Sequence, residues 1–236
     1  MGETSLIFKT FLILASQLAI VFGVAYGFVH RCRRAFRQGE AFLGIEFTER
    51  FNDASESDLV PGEINRNAFN SILFLWFGIA MLMVFWDPED VSIRLTLMTL
   101  SSLSFGGLLG LILIIADEND GLRTIKLALG ITVLTAVIGL YSGVDLGWMR
   151  EGLFAALVLL IVWHLATLVF SFSRSKQRLV ALGGSILFIL FLLYDFNRLA
   201  QLDEAGVNNW AVALEMATHL YLDVLNLVLE IMAAGE

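Results

Sequence analysis

Charge is scarce in this chain. Asp, Glu, Lys and Arg together supply only 16% of 236 residues, against about a quarter in ordinary soluble domains. Cysteine is nearly absent: Cys32 stands alone, which excludes an intrachain disulfide framework and a cysteine-based zinc site. It reads as a free thiol, with palmitoylation beside the first apolar run as the alternative. The two prolines, Pro61 and Pro88, both fall outside the long apolar runs, so any kink in those runs must come from glycine or from polar insertions. The three histidines, His30, His164 and His219, are scattered without an HExxH or paired spacing. That leaves heme and zinc chemistry without support, and no cofactor is expected.

What the chain has in abundance is apolar surface. Hydrophobic residues fill 58% of the positions and mean hydropathy is +0.78. Unpaired backbone groups are costly in hydrocarbon, so such a chain must satisfy them within helices or by closing a barrel. The runs are about twenty residues long and apolar on every side, which selects helices over the alternating strands of about ten residues that a barrel uses. The expectation is an all-α membrane protein: a seven-transmembrane-helix bundle forming one integral membrane domain over 1–236. The spans are expected at about 6–29, 68–86, 93–116, 125–143, 152–173, 178–199 and 210–232. The first run is too long for a secretory peptide and lacks a basic leader, so it reads as a retained span.

Between the first two spans lies a charged loop, 30–67. It begins with His30-Arg31-Cys32-Arg33-Arg34 and turns acidic through Glu40, Glu46, Glu49, Asp53, Glu56 and Asp58. One amphipathic surface helix followed by a turn at Pro61-Gly62 would fit it. Such a helix lies along lipid headgroups more readily than it binds nucleic acid. The expected partners are therefore the bilayer and a membrane protein docking on loop 30–67, with no nucleic acid. Eleven of the fifteen Lys and Arg residues fall in the first, third and fifth loops and four on the other side. By the positive-inside rule this places the N-terminus outside and the C-terminus in the cytoplasm, in a bacterial inner membrane or an organelle membrane. The Gly106-x-x-x-Gly110 spacing in the third span is a small-residue packing face.

Ionisable groups inside a span are expensive and usually face the bundle interior. The seventh span carries Glu215, His219, Asp223, Asn226 and Glu230, at spacings that put all five on one helical face. This stripe is expected to line the interior and to serve as an ion path, with that helix central; hydrogen bonding to neighbouring helices is the plainer alternative. Asp195 stands on the sixth span. A turn within Ala205-Gly206-Val207-Asn208-Asn209 would put Asp195 and Asp223 roughly 14 and 18 Å from it at 1.5 Å per residue, so the two acids can be neighbours. Two carboxyls in contact titrate as a unit, which makes the pair a candidate proton switch. Arg198, one turn beyond Asp195, is a candidate charge partner.

Tyr194-Asp195 and Leu220-Tyr221-Leu222-Asp223-Val224-Leu225-Asn226-Leu227 resemble the C-terminal signature of the BAX inhibitor-1 family, also called the transmembrane BAX inhibitor motif family. Lys9-Thr10-Phe11, Gly106 and Gly110, and Gly130-Ile131-Thr132-Val133-Leu134-Thr135-Ala136 are similar to it as well. The resemblance implies six helices around a seventh, and in some members a pH-sensitive calcium leak sensed by the aspartyl pair. This chain departs from the pattern in several places. Phe196-Asn197 stands where the family often has Thr-Gln, Leu111-Ile112 where a proline is common, and the second span lacks the charge of channel members. Bacterial members are usually regarded as having a cytoplasmic N-terminus, opposite to the charge count.

Three functions follow as expectations. The first is a pH-sensitive leak for calcium or protons, with Ca²⁺ the one metal ion considered. The second is a non-conducting regulator or assembly partner of another membrane complex. The third and weakest, in a chain otherwise read as no enzyme, is an intramembrane aspartyl protease. Such proteases carry Gly-x-Gly-Asp at the second acid, where this chain has Tyr221-Leu222-Asp223.

Overall fold

The structure is a computed structural model that describes residues 4–42, 47–51, 57–61, 74, 78, 79, 82, 90–115 and 118–235. Six long helices lie among them: α1 (Leu6–Gln38), α2 (Val91–Ile115), α3 (Glu118–Tyr141), α4 (Arg150–Val169), α5 (Arg174–Glu204) and α6 (Trp210–Gly235). All six contain stretches long and apolar enough to cross a membrane. They correspond to the first and the third to seventh expected spans. The second, 68–86, lies outside the described residues apart from Phe74, Gly78, Ile79 and Leu82, which are helical.

The charged loop differs from expectation. Its basic opening is helical: α1 runs for 33 residues, about 50 Å at 1.5 Å per residue and well beyond a hydrocarbon core of about 30 Å. The surplus turns carry Arg31, Arg33, Arg34 and Arg37 out of the apolar layer. The helix stops where Gly39 takes φ of 68°, with the amides of Gly39 and Glu40 bonded back to the carbonyls of Phe36 and Ala35. This is the left-handed glycine stop that ends many helices. In place of the expected amphipathic surface helix, β1 (Phe47–Phe51) and β2 (Ser57–Pro61) pair antiparallel, Phe47 opposite Pro61 and Phe51 opposite Ser57. Phe and Thr in β1 favour extended backbone, and Pro61 is tolerated at a strand end.

The chain divides into two compact units. One comprises Ala15–Leu122, the other Met1–Leu14 with Arg123–Glu236. In the first unit α1 and α2 meet through the expected small-residue face. A β-carbon on Gly106 would lie 2.7 Å from the Val21 carbonyl oxygen, and one on Gly110 2.8 Å from Phe28 Cβ. Only glycine permits backbones this close, and in lipid such packing is what holds helices together. A polar chain ties the same pair: Ser102 Oγ donates to Gln17 Oε1 at 2.8 Å, and Gln17 Nε2 donates to Thr99 Oγ1 at 3.1 Å.

In the second unit α5 and α6 form an antiparallel pair. The turn between them falls on 205–209, as its residue types suggest. Gly206 adopts φ of 77°, and the amides of Gly206 and Val207 bond to the carbonyls of Asp203 and Leu202. Asn209 Oδ1 then accepts from the Val212 amide at 2.8 Å, capping α6. Most of α6 is deeply buried: Met216, Ala217, Leu220, Tyr221, Val224, Leu227 and Val228 expose no surface. The start of α1 closes on this turn, with Lys9 Nζ donating to Asn208 Oδ1 at 2.8 Å and sitting 5.3 Å from the Trp210 ring centre. On α3, a β-carbon at Gly139 would come within 2.6 Å of Phe196 Cβ on α5. The depth of α5 against α3 is set there.

Candidate functional site

The polar face of α6 does not stay buried along its length. Asp223 and Glu230 are enclosed, 8% and 6% exposed, while the side chains of Glu215 and His219 keep 39% and 45% of their surface open. Between these groups, α4, α5 and α6 border a cavity of about 860 Å³. Phe154, Leu157, Phe188, Phe191 and Leu222 give it apolar walls; Asp195, Asp223 and Asn226 supply polar lining together with Arg150, Glu151, Arg198 and His219. Concave sites with few convergent polar groups are where ligands and ions are usually handled.

Asp195 and Asp223 stand against one another across α5 and α6, close enough for their carboxyls to interact directly. Asp223 Oδ2, also buried, has no hydrogen-bond partner. His219 comes to the pair from one turn earlier on α6, its Nδ1 3.8 Å from Asp195 Oδ2. Arg198 is within electrostatic reach of Asp195, but its guanidinium bonds to Glu215 Oε1 at 3.3 Å. Both partners there are more than a third exposed, so that ion pair contributes at most about 1 kcal/mol. His219 is thus the basic side chain placed directly against the acids. Glu230 stands apart from all of these, two turns further along α6 and against His164.

The wall beside the acids is fixed by Asn197. Its amide donates to the carbonyls of Val144 at 2.8 Å and Gly139 at 3.3 Å, and its carbonyl oxygen accepts from the Leu146 amide at 3.1 Å and from Gln201 Nε2 at 3.0 Å. Every hydrogen-bonding position of the side chain is used. The result anchors the segment before α4, and so the start of the helix that presents Arg150 and Glu151 to the cavity. Outside the spans, Asp145 accepts from the Gly147 amide at 2.8 Å and from Gln201 at 3.0 Å. These bonds hold its carboxyl below the usual range, the Gly147 amide contributing most.

Sequence reasoning passed over Arg150, Glu151 and His164. The two charges sit at the edge of an apolar run, where position alone says little. His164 had a usable signal, being an ionisable residue inside a span. Among the described residues, no group of three or more His, Cys, Asp or Glu is arranged to hold a metal ion.

A search of curated proteins finds no match to the chain. Residues 3–234 match the family described as inhibitor of apoptosis-promoting Bax1. That match takes in the first helix, the small-residue face of α2, and the acids of α5 and α6 alike, and this integral membrane protein belongs to that family.

Proposed function

We propose that the protein is a pH-sensitive ion leak for calcium or protons, with Asp195 and Asp223 as its switch. One observation carries the reading: two buried carboxyls, set against one another on α5 and α6, border a cavity large enough for water and ions. A hydrogen bond between carboxyl groups needs a proton on one of them. When that proton leaves, two like charges remain, and at 4 Å with an effective dielectric constant of 20 their repulsion is about 4 kcal/mol. That is enough to shift a two-state equilibrium by roughly a thousandfold. Low pH therefore favours the joined pair. Raising the pH drives α5 and α6 apart beside the cavity unless His219, Arg198 or a cation compensates. Glu215, Asn226 and Glu230 continue the polar face along which an ion would pass.

Purified protein in lipid vesicles tests this directly, with entrapped dyes for calcium and for protons. Flux is expected to depend on pH in the wild type and to lose that dependence in D195N and D223N. Vesicles that leak no faster than empty ones would overturn conduction. The alternative is then a non-conducting regulator, a reading supported by the β1–β2 hairpin, which stands in the segment expected to meet a partner. The eleven-to-four distribution of Lys and Arg supports a cytoplasmic location for that segment in a bacterial inner membrane.

A further inference from the structure

A second histidine–carboxyl contact lies near the far end of α6, away from the aspartyl pair. Glu230 Oε1 is 3.5 Å from Nε2 of His164 on α4. The carboxyl of Glu230 rests on Gly184 of α5, where a β-carbon would be only 2.6 Å from Glu230 Cδ and 2.7 Å from Oε2. Any other residue at 184 would push the acid out of its seat. Glu230 is 94% buried by its 6% exposure, and its Oε2 has no hydrogen-bond partner. The His164 side chain, by contrast, keeps 52% of its surface open.

The orientation of the imidazole decides what this contact can hold. His164 Nδ1 lies 3.1 Å from the Leu160 carbonyl oxygen, which can only accept, so Nδ1 carries a proton. In a neutral ring Nε2 then has a lone pair and faces an acceptor carboxylate, an unfavourable pairing. The contact becomes a bond only when one more proton is present, either on Nε2 as imidazolium or on the carboxyl as an acid. In both forms one proton lies between α4 and α6.

We propose that His164 and Glu230 form a one-proton binding site that fastens α4 to α6 across the Gly184 seat. It is separate from the Asp195–Asp223 pair and does not depend on the leak reading. Its depth suits exchange with water: His164 is five residues from the end of α4 and Glu230 five from the end of α6, each about 8 Å along the helix axis. Asp223 lies seven residues further in, about 10 Å along α6. The charged groups that α5 brings to this end are Arg174 and Lys176, both exposed, and Arg178, whose Nε donates to the Ala234 carbonyl oxygen at 3.0 Å, beyond the acid. No charged side chain of α5 occupies the seat itself, which is glycine. The outward face of the imidazole is the route by which the proton arrives, and its loss frees α4 from the seat.

Full-length protein with ¹⁵N-labelled histidine in lipid nanodiscs gives the test, with the His164 ring signals assigned from an H164Q sample and followed by NMR against pH. A coupled pair titrates in two steps that both partners sense. The wild type is expected to show two inflections at His164, and E230Q one. G184A, which displaces the acid without removing it, is also expected to show one. G183A keeps two, since nothing lies within 4 Å of a β-carbon there. The same pattern is expected in a D195N background, which separates this site from the aspartyl pair. A single His164 inflection at the same pH in wild type, E230Q and G184A would overturn the proposal, whatever the flux assays show.

Discussion

The backbone amide of Leu6 donates to Asp203 Oδ1 at 2.9 Å, joining the first turn of α1 to the last turn of α5 across 197 positions of sequence. The first amides of a helix have no partner within it, and a carboxylate there also complements the positive end of the helix dipole. Ser5 Oγ takes another of these amides, that of Phe8, at 3.2 Å. The start of α1 is therefore capped partly by its own sequence and partly by a distant helix. Replacing Asp203 with Ala is expected to cost about 1 kcal/mol, the typical loss on removing a capping acceptor, while D203N retains most of it. Thermal unfolding in detergent micelles reads the difference; equal midpoints for D203A and wild type would show that the contact contributes nothing.

Glycine supplies a second, sharper comparison within α3. G139A must force its methyl against Phe196 Cβ at 2.6 Å and the Leu193 carbonyl oxygen at 2.9 Å, an overpacking expected to cost about 1–3 kcal/mol. G130A meets nothing within 4 Å and removes a flexible residue from a helix, so it is expected to be neutral or to stabilise by up to about 1 kcal/mol. The two variants should move the unfolding midpoint in opposite directions or leave only G139A shifted. Similar losses in both would mean that α3 does not press on α5 at this point.

Asp145 yields a pH dependence whose sign is set. Its carboxyl is held below the usual value by the Gly147 amide and then by Gln201, so the folded state favours the ionised form. The stabilisation is present above the unfolded value of about 4 and is lost as pH falls through the lower, folded value. Amide exchange at Gly147 should accelerate in acid beyond the intrinsic change, and D145N should remove that acid-specific component. Parallel profiles for D145N and wild type would refute the assignment.

Orientation can be read chemically. From the eleven Lys and Arg of the first, third and fifth expected loops and the positive-inside rule, a cysteine at Ser57 in a C32S background is expected to resist an impermeant thiol reagent added to intact cells and to react after permeabilisation. Labelling in intact cells would reverse the topology.

Several features were legible because they are local or follow from the solvent. Long apolar runs with little charge require helices in lipid. Gly206 and Asn209 ended α5 and began α6 where their conformational preferences put them, and that turn brought Asp195 and Asp223 to matching depth. The second expected span, by contrast, falls outside the described residues except for Phe74, Gly78, Ile79 and Leu82. The charged loop was misread because helical periodicity and strand propensity compete over short polar segments, and Phe47–Phe51 paired with Ser57–Pro61 as no local signal required. Arg198 was expected as a charge partner of Asp195 from its spacing on one helix and lies within electrostatic reach of it; its hydrogen bond to Glu215 on the next helix was not legible, because helix-to-helix distance is not written in sequence distance.

By itself the sequence determined the solvent, the helical class, the family, and the turn that pairs the two aspartates. Each depends on composition or on groups within a few residues of one another. Only the tertiary structure decided that His164 would face Glu230 and that Gly184 would seat the acid. The same holds for Asn197, which anchors the segment ahead of α4. Those contacts join different helices and depend on how each is rotated and slid along its axis. Rotation and depth are set where glycines let backbones close up, as Gly139 does against Phe196, and a one-residue change of register, 1.5 Å and 100° on a helix, would abolish every one of them.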